Sequence, residues 1–161
     1  MLALCMKDLC IQRTGGDNYH EQSYPSVLIK TFGVNKENIL TIDLREDSLA
    51  DVKGDYLSMN MSIYQKPNLI ITNPPFSHAL EFIEKALDNV SDNGYVIMLL
   101  RLNFLGSVSR FDFFKKYMPK YIYVHHKRIS FTDDKRTDSI EYAHFVWHKN
   151  NYPKFAQLKV I

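Results

Sequence analysis

The residue types best suited to chemistry stand together at 73–76, Asn73-Pro74-Pro75-Phe76, directly after the apolar run Leu69-Ile70-Ile71-Thr72. The side-chain carbonyl of Asn73 and the main-chain carbonyl of Pro74 are two acceptors, which together suit both protons of one planar –NH2 group. Neither proline has an N–H, and each biases the residue before it toward an extended conformation, so the corner is stiff and its acceptors are held open. Phe76 adds an apolar face beside them. An amine carried on a ring, as in a flipped-out adenine, or a similar amide, fits this set when it stacks on Phe76 and donates to Asn73 and Pro74. Acceptors so placed draw electron density toward the nitrogen as it attacks an electrophile.

Such a corner needs a rigid element before it and another after it. Leu69 to Thr72 lack polar alternation, the pattern of a strand covered on both faces in a parallel sheet flanked by helices. A polar corner at the C-terminal end of that strand is where open α/β sheets bind ligands. After it, Ser77 is a candidate N-cap, and Leu80, Ile83, Leu87 and Val90 recur at helical spacing. Asn93-Gly94 closes that helix, and Tyr95 to Leu100 form the clearest buried strand of the chain.

Asn73-Pro74-Pro75-Phe76 resembles the catalytic motif of amino-methyltransferases that use S-adenosylmethionine (SAM), most of all short phage-type DNA adenine methyltransferases. The resemblance covers about Thr14 to Lys149 and implies a three-layer α/β/α Rossmann-like fold, mostly parallel, with a C-terminal antiparallel hairpin. It implies direct methyl transfer from SAM to an exocyclic adenine nitrogen in DNA, with Asn73, Pro74, Pro75 and Phe76 as the catalytic corner. RNA and protein-glutamine methyltransferases carry Asn-Pro-Pro-Tyr at this place, so those acceptors stay open. So does a methyltransferase-like binding module with weak catalysis.

The cofactor residues follow the same resemblance. Leu9-Cys10-Ile11 is a first-strand candidate leading to Gly15 and Gly16, where a glycine turn lets backbone approach the cofactor. Here Gln12 and Arg13 replace the usual acidic start of that turn. Pro25 opens a short helix through Phe32 that Gly33 ends, and Tyr19 and His20 fall in the polar stretch before it. Asn38 to Asp43 form a second strand whose closing carboxylate, Asp43, is placed for a ribose diol. Asp55, after a faint third strand, would accept from the amino group of the cofactor's adenine, and Tyr56 would stack or pack alongside it.

The chain has 161 residues, enough for one domain with a substantial core and no staples. Cys5 and Cys10 have neither metal-ligand nor redox spacing. There is no apolar run of membrane-spanning length and no signal-peptide pattern at the start, so a cytoplasmic protein is expected. Net charge is +2, yet residues 101–136 hold nine Lys or Arg against three Asp, a local +6. That stretch suits phosphates or a solvated face equally.

Arg101-Leu102-Asn103-Phe104-Leu105 forms the exit from the buried strand, beside the corner, where Asn103 and Phe104 are candidates to touch substrate. Arg110 to Tyr117 reads as a basic, aromatic-rich helix. Tyr121 to His125 and Glu141 to Trp147 are the expected last two strands, paired antiparallel because the polar connection is too short for a crossover helix. In that connection Lys127, Arg128, Lys135 and Arg136 are the candidate nucleic-acid contacts. Adjacent His125 and His126 point to opposite strand faces, and His144 and His148 lie roughly 13 Å apart along a strand, so no metal site is expected. No target-recognition domain is left over, so recognition is expected from loops, a specificity partner or a second copy.

Overall fold

The computed structural model describes residues 3–6, 24–129 and 139–161. Its strands are β1 (Ala3–Met6), β2 (Ile39–Asp43), β3 (Val52–Lys53), β4 (Leu69–Thr72), β5 (Tyr95–Arg101), β6 (Tyr121–Val124), β7 (Tyr142–His148) and β8 (Gln157–Val160). The helices are α1 (Tyr24–Phe32), α2 (Ala79–Asn89) and α3 (Phe111–Lys116). One sheet runs β3-β2-β1-β4-β5-β7-β6-β8. From β3 to β5 the strands are parallel, β7 is antiparallel to both β5 and β6, and β8 is parallel to β6. The chain steps outward from β1 to β2 and β3, then returns to the other side of β1 as β4. The strand order therefore reverses between β1 and β4, which opens a crevice at their C-terminal ends.

Alternation along the strands sorts side chains between two faces. On one, Ile39, Leu69 and Ile71 pack against Tyr24, Leu28 and Val34 of and after α1. On the other, Ile70, Val96, Met98, Leu100, Phe145 and Trp147 meet Ile83, Ala86 and Leu87 of α2 and Phe113 and Phe114 of α3. Burying one such Ile or Leu side chain fully stabilises the fold by roughly 1.5–3 kcal/mol. Trp147 is completely buried, and its indole N–H donates to the Tyr117 carbonyl at 2.9 Å, so no polar atom is stranded by that burial.

The sequence expectation of β4, β5 and the β6–β7 pair holds, and the details around them differ. The central strand is Ala3–Met6, upstream of the expected Leu9-Cys10-Ile11, which lies outside the described residues. β7 is not the last strand, because β8 adds to the outer side of β6. Ser77 does not cap α2: a 3-10 turn over Phe76–His78 precedes the helix, and His78 holds the N-cap position without a side-chain bond. The buried stripe is Ala79, Ile83, Ala86, Leu87 and Val90, with Leu80 only half-buried.

Two turns fix how helices meet strands. Gly33, at φ +64°, ends α1 in the left-handed conformation, and its N–H donates to Ile29 while that of Val34 donates to Leu28. At the end of α2, the Lys149 ammonium donates to the carbonyls of Val90 at 2.9 Å and Asp88 at 3.3 Å, a cation at the negative end of the helix. Gly94 then passes so close to the start of β4 that a Cβ there would lie 2.9 Å from the Ser91 oxygen and 3.0 Å from the Asn68 oxygen. Gly94→Ala is expected to lower stability by about 1–3 kcal/mol through this overpacking. Urea unfolding measures it, and an unchanged midpoint would refute the close approach.

On the α1 face, the Tyr24 hydroxyl lies 3.0 Å from Nε2 of His144, whose Nδ1 lies 2.8 Å from Nε2 of His125. Neutral imidazoles satisfy this chain, since each has one donor and one acceptor nitrogen. Burial first, and then His125, pushes His144 from 6.5 down to about 4. The unfolded chain therefore takes up this proton first as pH falls. The stabilisation is complete above pH 6.5 and is lost as pH drops toward 4, a difference of roughly 3 kcal/mol. Melting temperature should fall across that window less steeply in His144→Gln than in the parent, and parallel profiles would count against the buried neutral histidine.

Candidate functional site

The crevice between β1 and β4 is where the sequence-predicted corner lies. β4 is held on both sides, by β1 through Leu69 to Thr72 and by β5 in the same register. Pro74 and Pro75 then end the ladder, and Asn73 is left at the strand terminus, 8% exposed. Its Oδ1 is buried and accepts no hydrogen bond. A buried acceptor without a donor costs about 1–3 kcal/mol, so this atom is an exception that calls for a partner.

Phe76 stands over the corner in an aromatic and cationic setting. The Arg101 guanidinium carbon lies 4.6 Å from the centre of its ring, and the Tyr142 ring lies 5.7 Å away at an interplanar angle of 38°. Arg101 and Tyr142 are themselves register partners across β5 and β7. The Arg101 Nε is buried and makes no hydrogen bond. Among the described residues, this donor and the Asn73 acceptor are the two buried side-chain polar atoms without a partner.

Arg101 and Tyr142 are the site residues that sequence reasoning passed over. The available signal was a cation at the end of the apolar run Tyr95 to Leu100, where a buried strand has no need of charge. Attention to the following loop singled out Asn103 and Phe104 instead. Phe104 is in the core, 5.7 Å from Phe114 and 6.0 Å from Phe145 between ring centres, and so cannot meet a substrate. Asn103 is exposed, and its carbonyl accepts from the N–H of Gly106.

The proposed cofactor residues are divided. Asp43 ends β2 on the same C-terminal rim and is 1% exposed. Its Oδ1 accepts from the Arg45 N–H at 3.0 Å and Nε at 3.3 Å, and its Oδ2 accepts from the Arg45 guanidinium at 2.8 Å. A carboxylate has about four lone-pair positions and Arg45 fills three of them, so one is left for a further donor. Asp55 follows β3 and accepts from Ser58 Oγ at 2.6 Å and the Leu57 N–H at 3.0 Å. The Ser58 bond, and then that of Leu57, hold its carboxyl below the usual carboxylate range.

Tyr56 turns its ring into the core, where it offers no open stacking face. It is 3% exposed, packs on Phe82 with ring centres 5.6 Å apart, and accepts from Asn89 of α2 at 3.0 Å. Burial raises its phenol pKa further. The ring belongs to the core because the 55–59 turn is drawn onto α2 by Lys85, whose ammonium donates to the Leu57 and Met59 carbonyls at 2.7 Å each. Gly15, Gly16, Tyr19 and His20 lie outside the described residues, as do Lys135 and Arg136. Lys127 is exposed, and Arg128 makes a loose ion pair with Glu141 at 3.9 Å. Among the described residues no group of three His, Cys, Asp or Glu side chains is placed to hold a metal ion, and no helix is long and apolar enough to cross a membrane.

No family model and no curated sequence matches the chain. Solved structures do. A Listeria monocytogenes protein assigned to the class I SAM-dependent methyltransferases superposes with a TM-score of 0.60 at 11% identity, covering 99% of this chain and 58% of that one. The methyltransferase subunit of a type I restriction-modification system from Streptococcus thermophilus gives 0.63 at 12% identity, over 93% of this chain and 40% of the subunit. A Pyrococcus horikoshii protein assigned as an RNA methyltransferase gives 0.55 at 13% identity, over 91% and 72%. The chain thus spans a little over half of the first of these and less than half of the second. What the likeness shows is the fold: this is the Rossmann-like α/β architecture of the class I SAM-dependent methyltransferases.

Proposed function

We propose that the protein transfers a methyl group from SAM to the exocyclic amino group of adenine in DNA. The observation that carries this reading is the buried Asn73 Oδ1 without a donor, at the end of β4 where the strand order reverses. A neutral planar amine would donate one proton to that atom and the other to the Pro74 carbonyl. An ammonium group is a poorer match, since the Arg101 guanidinium lies beside the same ring. Arg101 Nε–H, the second unpaired atom, suits a ring nitrogen next to the amine, as adenine has.

SAM supplies a methyl group on a sulfonium, which is electrophilic without any help from a metal. Asp43 would hold its ribose hydroxyls and Asp55 its adenine amine, with Gly15 and Gly16 approaching it by backbone. The chain's own work is positioning. Asn73 and Pro74 orient the target nitrogen so that its lone pair faces the methyl carbon. Positive charge would grow on that nitrogen as it takes the methyl group, and the two carbonyl oxygens would stabilise it. One amine proton then leaves to solvent, and no covalent enzyme intermediate is required.

A nucleic acid is favoured over a protein glutamine by the ring of Phe76 and by the cation excess over residues 101–136, and DNA over RNA by the resemblance of Asn73-Pro74-Pro75-Phe76, which has Phe where the RNA enzymes carry Tyr. Flipping a base out of a duplex costs a few kcal/mol, which phosphate contacts help offset. Lys127, Arg128, Lys135 and Arg136 are the proposed contacts. Arg128 is available for this, because an exposed ion pair of 3.9 Å is worth little. A specificity partner or a second copy would supply sequence recognition.

The decisive measurement offers tritiated SAM with DNA, RNA and whole-cell protein in parallel. Label is expected in the adenine of DNA and should vanish in Asn73→Ala, while SAM binding by calorimetry persists. Label confined to RNA or protein would refute the DNA assignment, and SAM binding with no label anywhere would favour the weak binding module. No heat with SAM at millimolar concentration would refute the cofactor. Replacing the four cations should separately weaken DNA binding and flatten its dependence on salt, with SAM affinity unchanged. An unaltered salt slope would place the phosphate contacts elsewhere.

A further inference from the structure

β8 is the outermost strand of the sheet, and all four of its residues are exposed. Its ladder to β6 uses the odd positions. The Gln157 N–H donates to the Lys120 carbonyl at 3.0 Å and the Ile161 N–H to Val124 at 2.8 Å, while the Ile161 carbonyl accepts from the His126 N–H at 2.8 Å. In a parallel ladder alternate residues face opposite neighbours, so the N–H and C=O groups of Leu158 and Val160 point to the open edge. Their side chains are equally uncovered, at 60% and 59% exposed, on the sheet face shared with Ile122 and Val124. Phe155 and Ile161 flank them at 82% and 43%. Natural edges of this kind are blunted by prolines, bulges or inward charges, and the only such device within β8 is Lys159.

We propose that this edge is a homotypic interface, in which β8 pairs antiparallel with β8 of a second copy about a twofold axis through Leu158. An axis perpendicular to the sheet must pass through a residue position, which leaves few registers. With the axis at Leu158, that residue faces its own copy, Ala156 faces Val160, Gln157 faces Lys159 and Phe155 faces Ile161. Apolar groups then meet apolar groups, the cation meets an amide, and the hydrogen-bonded pairs fall on the even positions whose backbone groups are open. With the axis at Lys159, two ammonium groups stand directly opposite and Gln157 faces Ile161, which charge and polarity both disfavour. Because the strands run in opposite directions, the two rims that carry Asn73 face away from each other. The pairing therefore leaves each crevice open and is independent of the methyl-transfer reading.

Sedimentation equilibrium of the full chain tests this. A mass of two chains is expected at protomer concentrations on the order of 100 μM, since such pairing follows mass action. Leu158→Lys places two new ammonium groups on the axis and should weaken association at least tenfold, with the circular dichroism and melting of the single chain unchanged. Gln157→Glu should tighten association several-fold by setting a carboxylate opposite the partner's Lys159. A single-chain mass for the parent at that concentration overturns the proposal. A dimer that Leu158→Lys leaves intact also overturns it, and a dimer that Gln157→Glu leaves unchanged or weakens overturns the register.

Discussion

The pairing of β4 between β1 and β5 is the constraint on which the rest depends. Three parallel strands in register from Leu69 to Thr72 give the corner after them a fixed origin, and the sheet changes direction at this point and nowhere else along its parallel half. Two prolines then prevent the ladder from continuing, so Asn73 is left with a buried oxygen that no neighbour satisfies. A single strand displaced by one residue would turn Asn73 to the other face.

Much of the remaining structure serves to keep that strand still. Lys85 draws the 55–59 turn onto α2, and Lys149 caps α2 from the far end of β7. Each uses a charged side chain against main-chain oxygens that the ends of turns and helices leave open. At Thr41, Asp51 accepts from both the N–H at 2.8 Å and the hydroxyl at 2.6 Å, which ties the loop before β3 to the middle of β2. The polar groups of the core are paired almost throughout. Among the described residues the two buried side-chain polar atoms left unpaired are on Asn73 and Arg101, and that contrast is what distinguishes the corner from a strand end closed by prolines alone.

The neighbourhood of Phe76 also changes what the ring offers. As an isolated residue it is a free stacking surface. In the fold it is already in contact with Arg101 and Tyr142, so the ring is not a free surface. Asp43 is in a comparable state with Arg45. In both places an arginine of the chain itself occupies the side chain that the sequence offered as free.

The local signals in this chain were those with a steric or periodic cause. Prolines at 74 and 75, the β-branched run before them, the left-handed Gly33 and the apolar run from Tyr95 were all legible, because each acts within a few residues of itself. The strand order was accessible only through resemblance, and β8 was missed because its two apolar residues alternate with Gln157 and Lys159 over too short a span to stand out. Tyr56 shows the limit most plainly. Its position after β3 suited a cofactor, yet the side to which its ring turns depends on Lys85 and Asn89, some thirty residues away on α2. Arg101 likewise gains its meaning from Phe76, in the turn after β4, and from Tyr142 on β7, segments that meet it only in the folded chain. The turn at 73–76 and the strands β4 and β5 were set by local sterics and so were written in the sequence; which atoms stay unpaired is a property of packing between distant segments, and the tertiary structure alone decided it.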